Sequence, residues 1–583
     1  MNYTDLLLPL FLVYWLIVII LNRRGILAKY NITAYGPLLM IRTTKGQEFL
    51  DRLAVHKTFW RTFANIGLPA MLLGMLIMFL LILFIDYSLI TSFQTQTVPQ
   101  PTKFNEPRNI FLIPGINEYI PFYWGAIALI VTLMVHEFSH AILCKVEGIK
   151  VKSMGILLAL VPVGGFAEPD EEQLLGKKEE KNDIEKESQT EDPTEESRAG
   201  VPGTEEPAEP KRIATRSERV RVLTAGVMAN FVTAIIAFFL FFTLLGSIST
   251  VGDVMVTTVI PGSPAQLAGV NQSMILTGIN DIKVNNASDF LSYASTIAPG
   301  SNVKLNLVEN GVPKEIHLIA SGKNVTRAGV KVLTVTEGSA AQTAGIKEGM
   351  IITRIDDTEI KELNDFINFM NSTKEGQKID IYLLSNSSLD ASTEVFKGVE
   401  LGKNPSPMGV NKGFLGVSYS PEQGAVSYSI GIEIGEFQAK TYLNMLKSIP
   451  SLMTGIYGWV IIFGLPIFGF GGEGFPGFSG MLMNFYEPTG WVAVFGVVVF
   501  WMLNALLWIG WMNFYAGLFN CLPAVPLDGG HVFRDVMTSF LSKVFGDGEK
   551  VERISNAIVL VFAVLILLSF VFVMIAPYAA HGF

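Results

Sequence analysis

Two histidines and a glutamate lie close together inside an apolar run of the sequence. His136, Glu137 and His140 occur in the segment VTLMVHEFSHAILC. Residues four apart share one face of an α-helix, so both imidazoles can bind one Zn²⁺ while Glu137 reaches a water on the metal. Zinc lowers the pKa of such a water toward about 7, and a carboxylate can accept its proton. The H-E-x-x-H spacing therefore predicts a zinc-dependent hydrolase.

Two other interpretations of these residues are open at this point. The histidines could be a buried, hydrogen-bonded pair with a structural glutamate, or they could form the proton relay of an ion-coupled transporter. Ionisable groups within hydrocarbon cost several kcal/mol and are by default functional, which disfavours the first. A transporter is expected to show broken helices in two repeated halves, and the hydrophobic segments show no such repeat.

A catalytic zinc site generally takes three protein ligands and a water, so two histidines do not complete it. Asp528 lies in NCLPAVPLDGGHVFRD, directly after a 29-residue uncharged run. The pattern N-x-x-P-x-x-P-L-D-G is matched by Asn520, Pro523, Pro526, Leu527, Asp528 and Gly529. Together with HEFSH and the small-residue segment AGVMAN at 225–230, this pattern resembles the site-2 protease family.

The resemblance implies an intramembrane zinc endopeptidase with a three-helix catalytic core. It implies that His136, His140 and Asp528 bind the metal and that Glu137 is the general base. His531, three residues after Asp528, is kept as an alternative ligand or a supporting residue.

Four further residues receive roles by the same resemblance. Asn520 either donates a hydrogen bond to the tetrahedral oxyanion or caps a helix that ends before Pro523. The segment GILLALVPVGGF at 155–166 is either the strand that pairs with an unwound substrate or a simple connecting hairpin. Gly164 and Gly165 suit close backbone approach, and with Asn230 they are predicted to contact the substrate.

The composition indicates a membrane protein. Half of the 583 residues are apolar and only 16% are charged, with a mean hydropathy of +0.41. This excludes disordered and fibrous proteins and a nucleic-acid binder of the basic-patch kind. The two cysteines lie far apart in sequence, so no disulfide framework is expected. The composition thus predicts a lipid bilayer as a partner, and the resemblance to site-2 proteases implies a single-span membrane protein substrate as the other.

Six uncharged runs are long enough to cross about 30 Å of hydrocarbon as helices. They cover roughly 6–22, 62–85, 119–135, 222–246, 491–519 and 554–576. Eight basic residues lie between the first two runs, and the positive-inside rule places that loop in the cytoplasm. Counting six spans from there puts both termini outside and the active site toward the cytoplasmic face. A seventh run, 451–470, is predicted to be re-entrant or interfacial, because a full crossing would put Asp528 on the opposite side of the membrane from His140.

An internal repeat occupies the exterior region between the fourth and fifth runs. Residues from Pro261 and from Glu337 are identical at 13 of 30 positions with an offset of 76. Each copy shows strand, short helix, strand and helix, and resembles a PDZ domain of the kind found in membrane and periplasmic proteases. The alternative is a repeated α/β module that merely spaces helices apart.

The predicted fold is a multi-pass α-helical membrane protein of about six spans with two inserted α/β PDZ-like domains. An acidic loop at 168–212, with sixteen acidic and seven basic residues, is predicted to be disordered, and the alternative is a docking site for a basic partner. The expected domains are 1–118 with two N-terminal helices, 119–167 with the HExxH helix and a hairpin, 168–212, 213–249 with a core helix, 250–330 and 331–440 with the two PDZ-like copies, 441–490, and 491–583 with the LDG helix and the last span.

The resemblance to site-2 proteases implies that the function is cleavage of single-span membrane proteins within or near the bilayer, after another enzyme has trimmed the substrate's exterior domain. The alternative from another class is a catalytically inactive, PDZ-bearing membrane scaffold. Two compact modules before the fifth span are expected to exclude substrates that still carry a folded exterior domain. The alternative is that they recruit substrate, by capturing a peptide carboxylate in a PDZ groove.

Overall fold

The computed structural model describes residues 3–582 except 44–46, 102–104, 110–112, 160, 176–211, 322–325, 337, 362, 386–391, 405–411, 420–422, 428, 469–474, 476 and 547. The chain forms two compact units. The first contains Met1–Phe241, Phe463–Phe475 and Asn504–Phe583, and the second contains Phe242–Ile462 and Pro476–Leu503.

Sixteen α-helices are present among the described residues. They are α1 (Tyr3–Arg23), α2 (Ile26–Lys29), α3 (Gln47–Ala54), α4 (Lys57–Gln94), α5 (Phe122–Glu147), α6 (Glu171–Leu175), α7 (Arg216–Gly246), α8 (Pro264–Leu267), α9 (Ala287–Ala294), α10 (Ala340–Ala344), α11 (Leu363–Ser372), α12 (Ala439–Leu452), α13 (Ile456–Phe468), α14 (Val498–Asn520), α15 (Asp528–Phe545) and α16 (Glu549–His581). Short 3₁₀ turns lie at Pro107–Asn109, Gly480–Phe485 and Gly490–Phe495.

Five of these helices, α4, α5, α7, α14 and α16, are long and apolar enough to cross a membrane. Two shorter apolar helices lie at Pro9–Arg23 and Ile456–Ile467, within α1 and α13. The 13 residues of α13 rise only about 20 Å, less than the roughly 30 Å of hydrocarbon. The prediction that 451–470 does not cross completely has this support but stays a prediction, as does the count of six spans.

Twenty-one strands form the sheets of the described part of the chain. They are β1 (Ile32–Tyr35), β2 (Leu38–Thr43), β3 (Val151–Ala159), β4 (Val161–Pro169), β5 (Ile248–Thr250), β6 (Val254–Val259), β7 (Ile275–Ile279), β8 (Ile282–Lys283), β9 (Asn302–Glu309), β10 (Val312–Ile319), β11 (Thr326–Val335), β12 (Ile351–Ile355), β13 (Thr358–Glu359), β14 (Lys378–Leu384), β15 (Thr393–Glu400), β16 (Gly402–Lys403), β17 (Gly413–Phe414), β18 (Val417–Tyr419), β19 (Gln423–Ser427), β20 (Ile432–Glu436) and β21 (Tyr486–Pro488).

The first unit contains a small antiparallel sheet beside its helices. Its strand order is β1-β2-β3-β4, so β4 is a terminal strand of this sheet. The predicted hairpin after the HExxH helix is therefore present, as β3 and β4. Buried residues of α3, α4, α5, β3 and α7 form one core that includes Leu50, Ala64, Leu143, Val151 and Val222.

The second unit contains both repeated modules, and the second is inserted into the first. The core of the first module combines residues 254–320 with Ile430, Ile432 and Ile434. Strand β20 pairs with β6, so it completes the first module after the chain has passed through the second. The predicted boundary that assigned 331–440 to the second copy was wrong for this strand, because its isoleucines are buried in the first core. Here the first module denotes 254–320 with 429–436, and the second denotes 326–419.

Most of the predicted acidic loop, 176–211, lies outside the described residues. Its predicted start at 168 was too early. Glu168 and Pro169 are the last residues of β4, and α6 follows directly. Leu174 of α6 is buried in the core of the first unit, which orders this part of the chain.

Candidate metal centre and active site

Three side chains that can bind a metal converge in the first unit. His136 Nε2 and His140 Nε2 lie 3.1 Å apart on α5. Asp528 Oδ2, in the first turn of α15, lies 3.2 Å from each of them. Ligands about 2.0–2.1 Å from a tetrahedral Zn²⁺ lie about 3.3 Å from one another, so this triangle has the size that zinc requires. The buried Asp528 Oδ2 accepts no hydrogen bond from the described residues, as expected of a metal-binding oxygen.

The orientation of His140 is set by a backbone group on α7. His140 Nδ1 lies 2.8 Å from the carbonyl oxygen of Val222. A carbonyl only accepts, so Nδ1 carries the proton and donates it, and Nε2 keeps its lone pair for the metal. Helix α7 begins with a capping box in which Thr215 and Glu218 bond each other's backbone N–H, which fixes where Val222 lies.

His136 is oriented by Asn230, also on α7. The Asn230 side chain is completely buried, and its amide nitrogen Nδ2 lies 3.1 Å from His136 Nδ1. Turning the amide over exchanges Nδ2 and Oδ1, and with Oδ1 in that place Asn230 accepts the Nδ1 proton of a metal-binding His136. The sequence predicted that Asn230 contacts the substrate. The structure places it against His136, with no exposed side-chain surface, and its contact with the substrate stays a prediction.

Glycines allow the ligand-bearing elements to approach one another. A Cβ on Gly226 of α7 would lie 2.5 Å from His140 Nε2 and 2.7 Å from His136 Cε1. A Cβ on Gly529 would lie 2.4 Å from the carbonyl oxygen of Cys521, and one on Gly530 would lie 2.4 Å from the carbonyl carbon of Ala524. Only glycine therefore permits the close packing of α7 on the histidines and the tight turn that presents Asp528.

Glu137 is held beside the triangle by strand β4. The backbone N–H of Ala167 donates a hydrogen bond to Glu137 Oε2 at 2.7 Å. Glu137 and the three ligands line a cavity of about 290 Å³. Asn520, at the end of α14, lines the same cavity, so the structure brings this predicted residue to the site. Its two proposed roles, oxyanion donor and helix cap, are both compatible with that position.

Gly164 and Gly165 lie on β4, where they pair with Leu157 and Ile156 of β3. The edge of β4 away from β3 has no strand partner among the described residues. The two interpretations of this segment are thus compatible, since the hairpin connects α5 to α6 and also presents an edge for strand addition.

His531 does not join the metal-binding group among the residues that the structure describes, although it follows Asp528 by less than one helical turn. Its role as a ligand therefore has no geometric support, and Asp528 is the third member of the triangle.

A buried ion pair ties α5 to its neighbours two turns beyond His140. Glu147 has no exposed side-chain surface and receives Arg221 Nε of α7 at 2.7 Å. Arg61 of α4 contacts the same carboxylate through Nε at 3.2 Å and through Nη2 at 2.8 Å. Three core helices are thus joined at one carboxylate.

A second buried ion pair ties α7 to α15 in the same manner. Arg219 Nε lies 3.2 Å from Asp535 Oδ2, and Nη2 lies 3.3 Å from Oδ1. Asp535 follows Asp528 by seven residues, just as Glu147 follows His140 by seven. Two arginines on α7 therefore hold the two helices that carry the metal ligands, each at about 10 Å along the helix from a ligand.

These positioning residues were not identified from the sequence. Gly226 lies within the segment AGVMAN. The sequence indicated a helix with small residues there, but it did not indicate which atoms Gly226 contacts. Arg219 and Arg221 lie just before an apolar run and resemble ordinary interfacial charges. Their spacing of two along a helix does not by itself indicate two different buried partners.

The donor set fits zinc. Two neutral imidazoles and one carboxylate are among the ligand sets of catalytic zinc sites, which keep a fourth position for water or substrate. The cavity beside the triangle provides room for that position, and Glu137 and Asn520 line it.

A family comparison agrees with the geometry. The sequence model of "Peptidase family M50" matches residues 124–566, which include α5, α7, α14 and α15 and both modules. The HExxH helix and the distant aspartate both fall within that match.

The individual relatives share only a minority of identical residues with this chain. The chain is 24% identical over 298 residues to the uncharacterised protein MJ0971 of Methanocaldococcus jannaschii, covering 50% of this chain and 66% of the relative. It is 24% identical over 249 residues to the putative zinc metalloprotease CPE1693 of Clostridium perfringens, covering 40% and 64%. A 103-residue stretch is 31% identical to the periplasmic serine endoprotease DegQ of Escherichia coli, covering 18% and 23%. The chain thus spans slightly less than two thirds of the first and second of these relatives and about a quarter of DegQ.

Proposed function

The chain belongs to peptidase family M50, whose members are membrane metalloproteases, and from that premise we propose that it is an intramembrane zinc endopeptidase. Its substrates are single-span membrane proteins, which it cleaves within or near the bilayer. The observation that carries the proposal is the triangle of His136, His140 and Asp528, with sides of 3.1–3.2 Å. A scaffold without catalytic activity has no need of this arrangement.

His136, His140 and Asp528 would hold the zinc ion. When bound, Zn²⁺ supplies Lewis acidity that polarises a peptide carbonyl and acidifies water. Glu137 then accepts a proton from the attacking water and delivers it to the leaving amine. The hydrogen bond from Ala167 to Glu137 Oε2 fixes the carboxylate and leaves Oε1 to take that proton.

The substrate is proposed to add to the free edge of β4 as an extended strand. Peptide bonds inside a helix are shielded by their own hydrogen bonds, so a substrate helix must unwind before it is cleaved. Strand addition replaces the lost backbone hydrogen bonds. The free edge runs past Gly164 and Gly165 to Ala167, whose N–H is already bound to Glu137. A substrate paired along this edge therefore ends beside the general base.

Asn520 is proposed to donate a hydrogen bond to the oxyanion that forms on the attacked carbonyl. The proposed orientation puts the active site toward the cytoplasmic side and the two modules outside. The modules are proposed to restrict access to substrates whose exterior domain has already been trimmed.

The proposal is tested with the full-length protein in lipid vesicles that also contain a single-span substrate. Mass spectrometry of the products locates the scissile bond. We expect cleavage inside or at the border of the hydrophobic segment, and none after treatment with a zinc chelator. Products cut only in the soluble parts of the substrate would contradict the intramembrane assignment.

A further inference from the structure

The two modules of the second unit close with equivalent strands. Strand β20 closes the first module and pairs with β6, and β18 closes the second and pairs with β11. Each follows a glycine with positive φ, Gly431 and Gly416, whose carbonyl oxygen accepts a hydrogen bond from a helix-capping serine. The distances are 3.2 Å from Ser263 Oγ to Gly431 and 3.4 Å from Ser339 Oγ to Gly416. The internal repeat therefore extends to the closing strands.

Each closing strand pairs with β6 or β11 along one edge, and the modules differ in what covers its opposite edge. In the first module, β19 pairs antiparallel with β20 over five residues, from Gln423 opposite Glu436 to Ser427 opposite Ile432. In the second module, β18 has no partner on the corresponding edge among the described residues. Residues 413–414, just before β18, do not fold back on it, because they form β17 and pair with β16.

Strand β19 occupies a defined groove. Besides pairing with β20, it lies alongside α9, the second helix of the first module. Its other edge pairs with β11, from Ser427 opposite Thr326 to Gly424 opposite Gly329. An extended segment added to a strand edge beside a helix is the arrangement in which PDZ domains bind peptides. The chain's own β19 thus fills in the first module the position that no strand of the described residues covers in the second.

The charge near the uncovered edge also differs between the modules. Lys374 and Lys412 form an isolated antiparallel bridge next to the loop that leads into β18, and Lys403 pairs with Gly413 there. By the repeat, Ala298 of the first module and Ser427, the last residue of β19, correspond to Lys374 and Lys412. At this pair of equivalent positions, the cations therefore belong to the second module alone.

We propose that β19 is a built-in ligand that closes the peptide groove of the first module, and that the second module binds an extended peptide along β18 with a carboxylate near Lys374 and Lys412. The carboxylate is either a free chain terminus or an Asp or Glu side chain. The proposal does not depend on proteolytic activity. Peptide binding can therefore be absent in an active protease, and it can be present in a protein that does not cleave.

The test uses the full-length protein in detergent and a synthetic pool of random nine-residue peptides with free carboxyl termini. A photo-crosslinking amino acid is placed at Ser418 of β18 or at the equivalent Glu433 of β20. We expect peptide capture at position 418 and none at 433. The charge-reversed variant Lys374→Glu/Lys412→Glu should bind captured peptides at least tenfold more weakly, whereas Lys347→Glu, at an exposed lysine of the same module, should bind them normally.

Two further experiments identify the source of the carboxylate and test whether β19 blocks the first module. Amidated copies of the captured peptides separate a free terminus from an acidic side chain, because only the former loses its charge. Replacing Gln423–Ser427 by a Gly-Ser segment of equal length should add capture at position 433, with capture at 418 retained as evidence that the second module is folded. Equal capture at 418 and 433 in the unaltered chain, capture at neither, or no effect of the charge reversal would each overturn the proposal.

Discussion

The backbone N–H of Ala167 donates a hydrogen bond to Glu137 Oε2 at 2.7 Å. This single contact joins the proposed general base to strand β4, close to its end. In the proposed mechanism, a substrate that extends the sheet along β4 would thereby be guided to the carboxylate that is proposed to accept the proton of the attacking water. The two parts of the proposed mechanism, strand addition and general-base catalysis, meet at these two residues.

Asn230 should control zinc affinity through His136. Asn230→Leu removes the acceptor for Nδ1–H, and loss of such a supporting hydrogen bond typically costs about 10- to 100-fold in metal affinity. Asn230→Asp keeps an oxygen at that position and should retain most of the affinity. Competition with a chromophoric zinc chelator measures both variants. Equal affinity in Asn230→Leu and the unaltered protein would show that His136 does not need this partner.

Gly226→Ala should disturb the metal centre, because the added Cβ would lie 2.5 Å from His140 Nε2. We expect zinc affinity to fall by about tenfold or more, with the helical content unchanged. Gly246→Ala is the matched control on the same helix, since nothing lies within 4 Å of a Cβ at that position. Normal zinc binding by Gly226→Ala would mean that α7 and α5 pack less closely than this distance indicates.

The arginines of α7 should stabilise both the fold and the metal centre. Arg221→Gln weakens the contacts of the buried Glu147, and Arg219→Gln does the same for Asp535, whose side chain is only 5% exposed. Leaving a buried charge without any partner costs about 3–5 kcal/mol. Both variants should cost less than this, because Arg61 still contacts Glu147 at 2.8 Å and Arg534 lies 3.8 Å from Asp535. Both variants should melt at lower temperature and release zinc faster, measured by thermal unfolding and by stopped-flow chelation.

The control for these variants is Lys145→Gln. It breaks the 2.9 Å pair between Lys145 and Asp51, whose side chain is 59% exposed. Exposed pairs contribute about 0–1 kcal/mol, so stability and zinc release should hardly change. If all three variants released zinc at the same rate as the unaltered protein, the two buried pairs would stabilise the helices without positioning the ligands.

The modules are expected to act as a filter, and their deletion tests this. Because β20 completes the first module, the deletion must span 254–436 to remove both modules whole. The residues that flank the deletion lie close together, since Phe437 N–H donates a hydrogen bond to the Asp253 carbonyl oxygen at 2.9 Å. A short linker can therefore join them. We expect the deletion variant to cleave untrimmed substrate and to cleave trimmed substrate at a nearly unchanged rate. A gel assay measures both reactions. Lost cleavage of the trimmed form, in protein that still binds zinc, would indicate recruitment instead.

Topology can be tested by cysteine labelling. Both native cysteines, Cys144 and Cys521, are buried at 1% and 0% exposure, so they should not react with impermeant reagents. A single cysteine introduced near the C-terminus should react from outside if 451–470 does not cross. Reaction only from the cytoplasm would require α13 to cross the membrane and would contradict the six-span arrangement.

The sequence predicted the features that depend on local pattern. The i, i+4 spacing of His136 and His140 predicted a shared helical face, and the resemblance carried by the LDG motif predicted Asp528 as the third ligand. The structure brings these residues together, with Glu137 beside them. The hairpin after the HExxH helix was also predicted, because the family resemblance assigns a strand-like segment to 155–166.

The sequence did not predict the features that depend on distant partners. Arg219 and Asp535 are 316 residues apart, and Arg221 and Glu147 are 74 apart, so no local pattern connects them. The insertion of the second module into the first was missed for a similar reason. Strand β20 has the pattern of an ordinary apolar strand, and only its pairing with β6 shows to which core it belongs.

The central claim is tested most directly by measuring zinc content and cleavage together in Glu137→Gln and Asp528→Ala. Glu137→Gln removes the proton acceptor and leaves the three ligands, so it should keep one zinc per chain and lose cleavage of a single-span substrate. Asp528→Ala removes a ligand and should lose both zinc and cleavage. Cleavage at the unaltered rate by Glu137→Gln, or full zinc occupancy in Asp528→Ala, would contradict this account of the active site.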